Sequence, residues 1–113
     1  MKQSEKDLIA ILEKKKSKKR IMQYPTRDGR IDKRSCEILD YVIHQQSNAP
    51  HKYFVLDVIK LSWEKEKELR IGYYILGKKL KVLNKWVWGQ YCPLIPKRDL
   101  KILLEKAKRK GLI

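Results

Sequence analysis

Two tryptophans lie two residues apart in the C-terminal third of the chain, within Lys85-Trp86-Val87-Trp88-Gly89-Gln90-Tyr91. Residues at i and i+2 share one face of a β-strand, so the Trp86 and Trp88 rings would stand side by side. Indole rings stack on planar groups such as bases, and neighbouring cations attract phosphates. These residue types at this spacing are therefore typical of a surface that binds nucleic acid.

The charge of the chain indicates the same class of partner. Of 113 residues, 28 are Lys or Arg and 13 are Asp or Glu, which gives a formal net charge of +15. Residues 69–113 alone contain 12 basic and two acidic residues. Self-repulsion of this size disfavours a compact state unless an anionic partner screens it. We expect that partner to be nucleic acid, DNA or RNA, with an anionic membrane surface as the second choice.

The remaining composition bounds the location of the protein. No apolar run approaches the roughly 18 residues that cross a bilayer. The N-terminus leads into a mixed-charge helix rather than a secretory apolar region. We therefore expect a cytoplasmic protein, and of the two anionic partners we predict nucleic acid and no membrane. In a reducing compartment, Cys36 and Cys92 are expected to be two small buried apolar residues rather than a disulfide.

A second group of cations occupies residues 14–20, where six of seven residues are Lys or Arg. Like charges at helical spacing repel each other, so a helix that runs through this segment would fray. The run is either a phosphate-contacting arm, which releases counterions on binding, or a solvated face. We expect a single domain over residues 1–113, with residues 1–20 as a basic helical arm.

The predicted binding residues form three groups, and no catalytic residue, metal ligand or cofactor is predicted. Phosphate contacts are expected from Arg70, Lys78, Lys79, Lys81 and Lys85. Base stacking is expected from Tyr74, Trp86, Trp88 and Tyr91. Nonspecific affinity would come from Lys14, Lys15, Lys16, Lys18, Lys19 and Arg20. If a helix covers the tryptophan face, the candidate surface is instead the opposite one, with Arg70, Tyr74, Lys85 and Tyr91.

The elements that position these residues follow from periodicity. Helical spacing predicts helices over residues 5–20, 33–46 and 97–110, and β-branched or aromatic residues predict strands over 53–63, 69–77 and 85–92. Residues 21–31 are expected to form a loop or a short edge strand. The predicted fold class is α+β. A small antiparallel sheet of three or more strands, over residues 53–92, is packed by two N-terminal helices and one C-terminal amphipathic helix.

The C-terminal helix carries an apolar stripe that must be buried, formed by Leu100, Leu103, Leu104 and Ala107. The face with Trp86 and Trp88 is a natural place for it. Gly111 followed by Leu112 predicts a Schellman ending. Gly72 and Gly89, inside strands, predict either a close backbone approach or simple curvature of the sheet.

The meander followed by one helix, with basic and aromatic strands, resembles the positive-cofactor-four family in element order and charge. That resemblance implies a curved sheet that holds single-stranded DNA, and a homodimer. The leading hypothesis is accordingly non-enzymatic binding of single-stranded or structured nucleic acid with low sequence specificity. The alternative is a protein-interaction module or inhibitor that acts on a nucleic-acid enzyme.

A small metal-dependent nuclease is a further alternative. Gly72-Tyr73-Tyr74 followed by Trp86-Val87-Trp88-Gly89 is faintly similar to the paired strands of GIY-YIG nucleases, with Arg98 near the position of the catalytic arginine. Asp57 and Lys60 are the strand residues that a different metal nuclease could use. His44 and His51 flank a turn, and no zinc spacing or glycine-rich phosphate loop is present.

Overall fold

A computed structural model of the chain describes residues 3–62, 64–77, 85–89 and 92–113. Over these described residues, it contains two helices and one five-stranded antiparallel sheet, in which the strands follow chain order. The elements are α1 (Gln3–Lys15), β1 (Lys19–Pro25), β2 (Ile31–Gln46), β3 (Ala49–Leu61), β4 (Glu68–Leu76), β5 (Trp86–Trp88) and α2 (Lys97–Arg109). The α+β class is confirmed. Neither helix is both long enough and apolar enough to cross a membrane, among the described residues.

The predicted second helix over residues 33–46 is wrong, because this segment is the 16-residue strand β2. Cys36 and Val42 match a helical spacing, but Ile38, Tyr41 and Val42 are also strong strand formers. The decisive factor is pairing with neighbours on both sides, since β2 lies between β1 and β3. The tight Ser47-Asn48 connection that ends this segment is a hairpin turn rather than a helix stop.

The sheet also begins earlier than predicted. Helix α1 ends at Lys15 rather than near residue 20, and Ser17 adopts a left-handed φ of 61° before β1 starts. Residues 19–25 then pair with β2 in a register that sets Lys19 opposite Glu37 and Pro25 opposite Ile31. The predicted lower bound of the sheet near residue 53 is therefore wrong by more than 30 residues.

Two compact units divide the chain. The first comprises Met1–Asp40 with Val58–Leu69, and the second comprises Tyr41–Asp57 with Arg70–Ile113. In the first unit, Cys36, Ile38, Ile59 and Leu61 form an apolar cluster. Cys36 is buried as predicted, whereas the prediction of burial is wrong for Cys92, which is exposed. Helix α1 buries Leu8 and Leu12 within the same unit.

The second unit has its own core beneath α2. Leu103 and Ala107 of α2 are completely buried against one face of the sheet, which presents Val42, Phe54, Leu56 and Tyr73. Burial of such side chains contributes about 1.5–3 kcal/mol each to folding. The helix stripe is narrower than predicted, because Leu104 is exposed and Asp99 is buried instead.

The end of α2 confirms the predicted Schellman motif. Gly111 has a φ of 79°, and its amide donates to the Lys108 carbonyl at 3.1 Å. The Leu112 amide donates to the Ala107 carbonyl at 2.8 Å, and the Leu112 side chain packs against the core of the second unit. These two bonds satisfy carbonyls that the helix end would otherwise leave unpaired.

Candidate nucleic-acid interface

The two tryptophans lie on the face of the sheet opposite to the one that α2 covers. In the register of β4 and β5, Trp88 is opposite Tyr74 and Trp86 is opposite Leu76. Successive residues of a strand point to opposite faces, and Tyr73 belongs to the core under α2. The apolar stripe of α2 is therefore not buried on the tryptophan face, which is contrary to the expectation from the sequence.

The ring of Trp88 is nevertheless occupied by contacts within the protein. Its centroid lies 5.1 Å from that of Tyr74 in an edge-to-face arrangement, and the Arg70 guanidinium carbon lies over the ring at 4.7 Å. A Cβ added to Gly72 would lie only 2.2 Å from Cη2 of this ring. The absence of a side chain at Gly72 thus leaves the space into which the indole fits, which is the close approach, one of the possibilities that the sequence left open.

Trp86 and Gly89 repeat this pattern. The Trp86 ring meets the buried ring of Tyr53 edge-on, with centroids 5.4 Å apart. On the other face of the sheet, a Cβ on Gly89 would lie 2.0 Å from Cε2 of Tyr73. Each strand glycine accommodates an aromatic ring from the neighbouring strand. The paired tryptophans and glycines of the sequence are therefore largely a packing pattern.

Arg70 is committed to an internal ion pair. Its Nη2 and Nε donate to the two carboxylate oxygens of Asp57 at 2.8 Å and 3.2 Å. The Asp57 side chain is 3% exposed and that of Arg70 is 37% exposed. A buried carboxylate needs such a partner, because an uncompensated charge in the interior is costly. Arg70 therefore neutralises Asp57 rather than offering its charge to phosphates.

The other predicted residues of the C-terminal half have mixed positions. Tyr74 is buried, Trp86 and Trp88 are half-buried, and Lys85 is exposed. Lys78, Lys79, Lys81 and Tyr91 lie outside the described residues. The structure thus brings Arg70, Tyr74 and Trp88 together as a packed cluster, and only Lys85 among the described members of this group is fully exposed.

The predicted N-terminal cations are divided among α1, β1 and the short connection between them, which contains Lys16 and Lys18. Lys14, Lys18 and Lys19 are exposed. Lys15, Lys16 and Arg20 are half-buried, and Lys16 pairs with Asp40 at 3.3 Å. Because α1 ends at Lys15, the run of cations does not continue as one helix.

A group of cations that is not among the predicted binding residues lies on the outer side of α2. Lys97, Lys101 and Lys108 are exposed and fall within about 40° of one another around the helix axis, at 100° per residue. We call these three residues the lysine stripe. Arg98 and Arg109 flank it, and Glu105 is the one acidic residue on the exposed side of α2. The sequence contains a signal for the lysine stripe, because the apolar stripe of α2 defines which side of the helix faces outward.

Two further cations of α2 have a structural role. Lys106 Nζ donates to the Ile43 carbonyl at 2.9 Å, and Lys110 Nζ donates to the Tyr41 carbonyl at 2.8 Å. Both carbonyls belong to β2, so these lysines attach the helix to the sheet within the second unit. The cations of α2 therefore divide into an inner pair that holds the helix and an outer group that faces solvent.

The start of α2 contains a buried polar cluster around Asp99. Its Oδ1 lies 2.8 Å from His44 Nε2, and its Oδ2 accepts from the amide and hydroxyl of Ser47 at 3.2 Å and 3.1 Å. Arg98 Nε in turn donates to Ser47 Oγ at 3.0 Å. The carboxylate joins the β2–β3 turn to the first turn of α2.

Burial by itself raises the pKa of Asp99, but the hydrogen bonds from His44 and Ser47 outweigh it and lower the pKa below the ordinary value of 3.8. The carboxylate is thus held in its charged form. In a hydrolytic triad the imidazole lies between the hydroxyl and the carboxylate. Here the carboxylate lies between His44 and Ser47, which is an arrangement for holding a turn in place.

The residues of the nuclease alternatives also have internal partners. Asp57 pairs with Arg70, and Lys60 Nζ donates to the carbonyls of Glu64 and Lys65. Arg98 contacts Ser47 rather than a residue of β4 or β5. Over the described residues, no group of three or more His, Cys, Asp or Glu is arranged to hold a metal ion.

Comparisons of the chain with protein-family models, with curated proteins and with solved structures found no match.

Proposed function

We propose that this chain is a nucleic-acid-binding protein without catalytic activity, and that the outer side of α2 supplies its main phosphate contacts. The observation that supports this most is the lysine stripe, which presents three exposed ammonium groups on one side of a rigid element. Cations placed on one side of a helix produce a positive potential that attracts a polyanion. The net charge of +15 strengthens that potential.

The geometry of the stripe suits a phosphate backbone. Lys97 and Lys108 are 11 residues apart, which corresponds to about 16 Å along the helix axis. A nucleic-acid strand presents several phosphates over that length, since their spacing along B-form DNA is about 3.4 Å per strand. The long, flexible lysine side chains can adjust to different phosphate positions. Such contacts carry no sequence information, so low specificity is expected.

The internal contacts of the two tryptophans argue against base stacking as the main source of affinity. Trp88 is engaged by Arg70 and Tyr74, and Trp86 is engaged by Tyr53. Because both of these tryptophan rings are engaged within the protein, the proposed affinity rests on electrostatics and counterion release. Binding should therefore weaken steeply with salt.

The test is a salt titration of DNA binding by fluorescence anisotropy with the full chain. The variant K101A/K108A removes two cations of the lysine stripe. Its matched control, K65A/K67A, removes two exposed cations from the β3–β4 loop, where Glu64, Glu66 and Glu68 are their neighbours. For K101A/K108A we expect roughly tenfold weaker binding at about 50 mM salt and a salt slope reduced by about 2. The control should change affinity by less than about twofold.

Two results would contradict the proposal. If the wild-type chain binds neither single-stranded nor duplex oligonucleotides at about 50 mM salt, nucleic-acid binding is excluded. If the control weakens binding as much as K101A/K108A does, the effect follows net charge and α2 is not the contact surface. Circular dichroism of each variant verifies that the fold is retained.

A further inference from the structure

The hairpin formed by β1, the following turn and the start of β2 is a second cationic element. Residues 18–35 contain seven basic and two acidic residues. Both carboxylates pair with arginines of the same hairpin, Asp28 with Arg30 at 2.9 Å and Asp32 with Arg34 at 2.8 Å. A net charge of +5 remains on this short segment, which we call the basic ribbon.

One face of the basic ribbon is exposed except at Ser35, which is half-buried. The register sets Ile21 opposite Ser35, Gln23 opposite Lys33 and Pro25 opposite Ile31, so these residues share a face. Ile21 is 66% exposed and Ile31 is 63% exposed, and Gln23, Pro25 and Lys33 are exposed as well. This face thus combines apolar groups with Gln23 and Lys33, whose side chains carry hydrogen-bond donors.

The tip of the ribbon is held together by local bonds. The Thr26 amide donates to the Arg30 carbonyl at 2.8 Å, and Gly29 supplies a left-handed φ of 82°. The Thr26 hydroxyl donates to Asp28, and this bond, followed by one from the Arg30 amide, lowers the pKa of that carboxyl. The turn is therefore ordered and presents Arg27 and Arg30 at the end of the ribbon.

The dimensions fit one groove in particular. At the base of the hairpin, the Ser62 amide donates to the Ser35 carbonyl, so a third segment borders the pair of Ile21 and Ser35. The three pairs from Gln23–Lys33 to Pro25–Ile31 lie nearer the tip and span about 10 Å. A two-stranded ribbon fits the major groove of B-form DNA, about 12 Å wide and 8.5 Å deep. The major groove of A-form RNA is too narrow for side chains to read. Isoleucine suits the thymine methyl, glutamine suits adenine, and lysine suits the acceptors of guanine.

We infer that the basic ribbon enters the major groove of duplex DNA, with the face of Ile21, Gln23, Ile31 and Lys33 toward the base edges. Lys19, Arg20 and Arg27 then contact the flanking phosphates. This inference rests on the proposed function and adds a polymer class to it, which is duplex DNA rather than single strands or RNA duplex. The lysine stripe of α2 supplies backbone contacts, whereas the ribbon distinguishes grooves.

The experiment measures anisotropy of the full chain with three labelled probes: a 20-base-pair DNA duplex, its single strand and the matching RNA duplex. We expect the wild-type chain to prefer the DNA duplex to the RNA duplex by roughly tenfold. The variant Q23A/K33A should weaken DNA-duplex binding roughly tenfold and leave single-strand binding within about twofold. The matched control K67A removes one exposed cation outside the ribbon.

A modified probe tests the groove itself. A DNA duplex with 7-deazaguanine lacks the N7 acceptor in the major groove and keeps its minor groove unchanged, so it should bind the wild-type chain more weakly. Equal binding of the DNA and RNA duplexes, or a Q23A/K33A effect no larger than that of K67A, would overturn the inference. Those results leave the proposed function standing if K101A/K108A still loses affinity. If instead Q23A/K33A weakens DNA-duplex binding and K101A/K108A does not, the assignment of phosphate contacts to α2 is wrong and the inference about the ribbon stands.

Discussion

Arg70 and the lysine stripe are both cationic features of the second unit, but they differ in what surrounds them. Arg70 lies against Trp88 and is paired with the buried carboxylate of Asp57. The lysine stripe lies on the side of α2 that faces away from the core, with Glu105 as its acidic neighbour. In the sequence the first feature resembled a binding site, and the second resembled an ordinary helix end.

The difference shows that a cation next to aromatic residues is ambiguous in a sequence. The same residues form a stacking platform or an internal ion pair with a cation–π contact, depending on whether a buried carboxylate lies nearby. Here the carboxylate is that of Asp57, which makes Arg70 part of an internal ion pair. Asp57 lies 13 residues before Arg70, on a neighbouring strand. Variants on each feature separate internal packing at the tryptophan face from the proposed phosphate contacts of α2.

The largest expected effect is the loss of the buried ion pair. Arg70→Ala leaves the carboxylate of Asp57 uncompensated, so the free energy of unfolding should fall by about 3 kcal/mol. Arg109→Ala is the matched control, because its contact with Glu105 at 3.9 Å is exposed and should be worth less than about 0.5 kcal/mol. Urea denaturation measures both. An equal loss in the two variants would mean that Asp57 does not depend on Arg70.

A smaller effect is expected from the space that Gly72 provides. Gly72→Ala places a Cβ against the Trp88 ring and should destabilise the protein by about 2 kcal/mol, through overpacking. In the Trp88→Leu background the same substitution should cost much less, because the ring is gone. A double-mutant cycle in thermal denaturation measures this coupling. Additive effects would show that the indole does not pack on Gly72.

Acid should weaken the connection between the β2–β3 turn and α2. The pKa of Asp99 is lower in the folded protein than the ordinary 3.8 expected on unfolding. Near that pH the unfolded chain therefore binds more protons, and the contribution of Asp99 is complete above about pH 4 and is lost as the pH falls through the folded pKa. Asp99→Asn removes this titration. The stability difference between wild type and Asp99→Asn should shrink as the pH is lowered from about 5 to 3. A constant difference would contradict the role of the charged form.

The parts of the fold that were predictable have local causes. The bounds of α2 and its Schellman ending follow from one stripe and from Gly111. The covered position of β3 was predictable because residues 53–59 are largely apolar on both faces of the strand, as is typical of a covered strand. The structure buries every residue from Tyr53 to Ile59. Helix and strand periods cannot be separated for residues 33–46, because the partner strands that decide the outcome are distant in sequence.

The candidate site was less predictable than the fold. The close approach at Gly72 and Gly89 was foreseen as one of two possibilities, but the rings that occupy those spaces were not. The pairing of Arg70 with Asp57 depends on strand register, which a single sequence does not specify. The outward direction of Lys101 and Lys108, by contrast, is implied by the apolar stripe of α2, because residues on the opposite side of an amphipathic helix face solvent.

Lysine footprinting of the wild-type chain compares the two regions most directly. The full chain is acetylated with and without saturating duplex DNA, and the modification of each lysine is read by mass spectrometry. We expect Lys97, Lys101 and Lys108 to be protected roughly threefold or more at about 50 mM salt, and this protection should disappear at high salt. Lys65 and Lys67 serve as unprotected references. Protection of Lys85 beside the tryptophans, with unchanged reactivity of the lysine stripe, would contradict the assignment of DNA binding to α2.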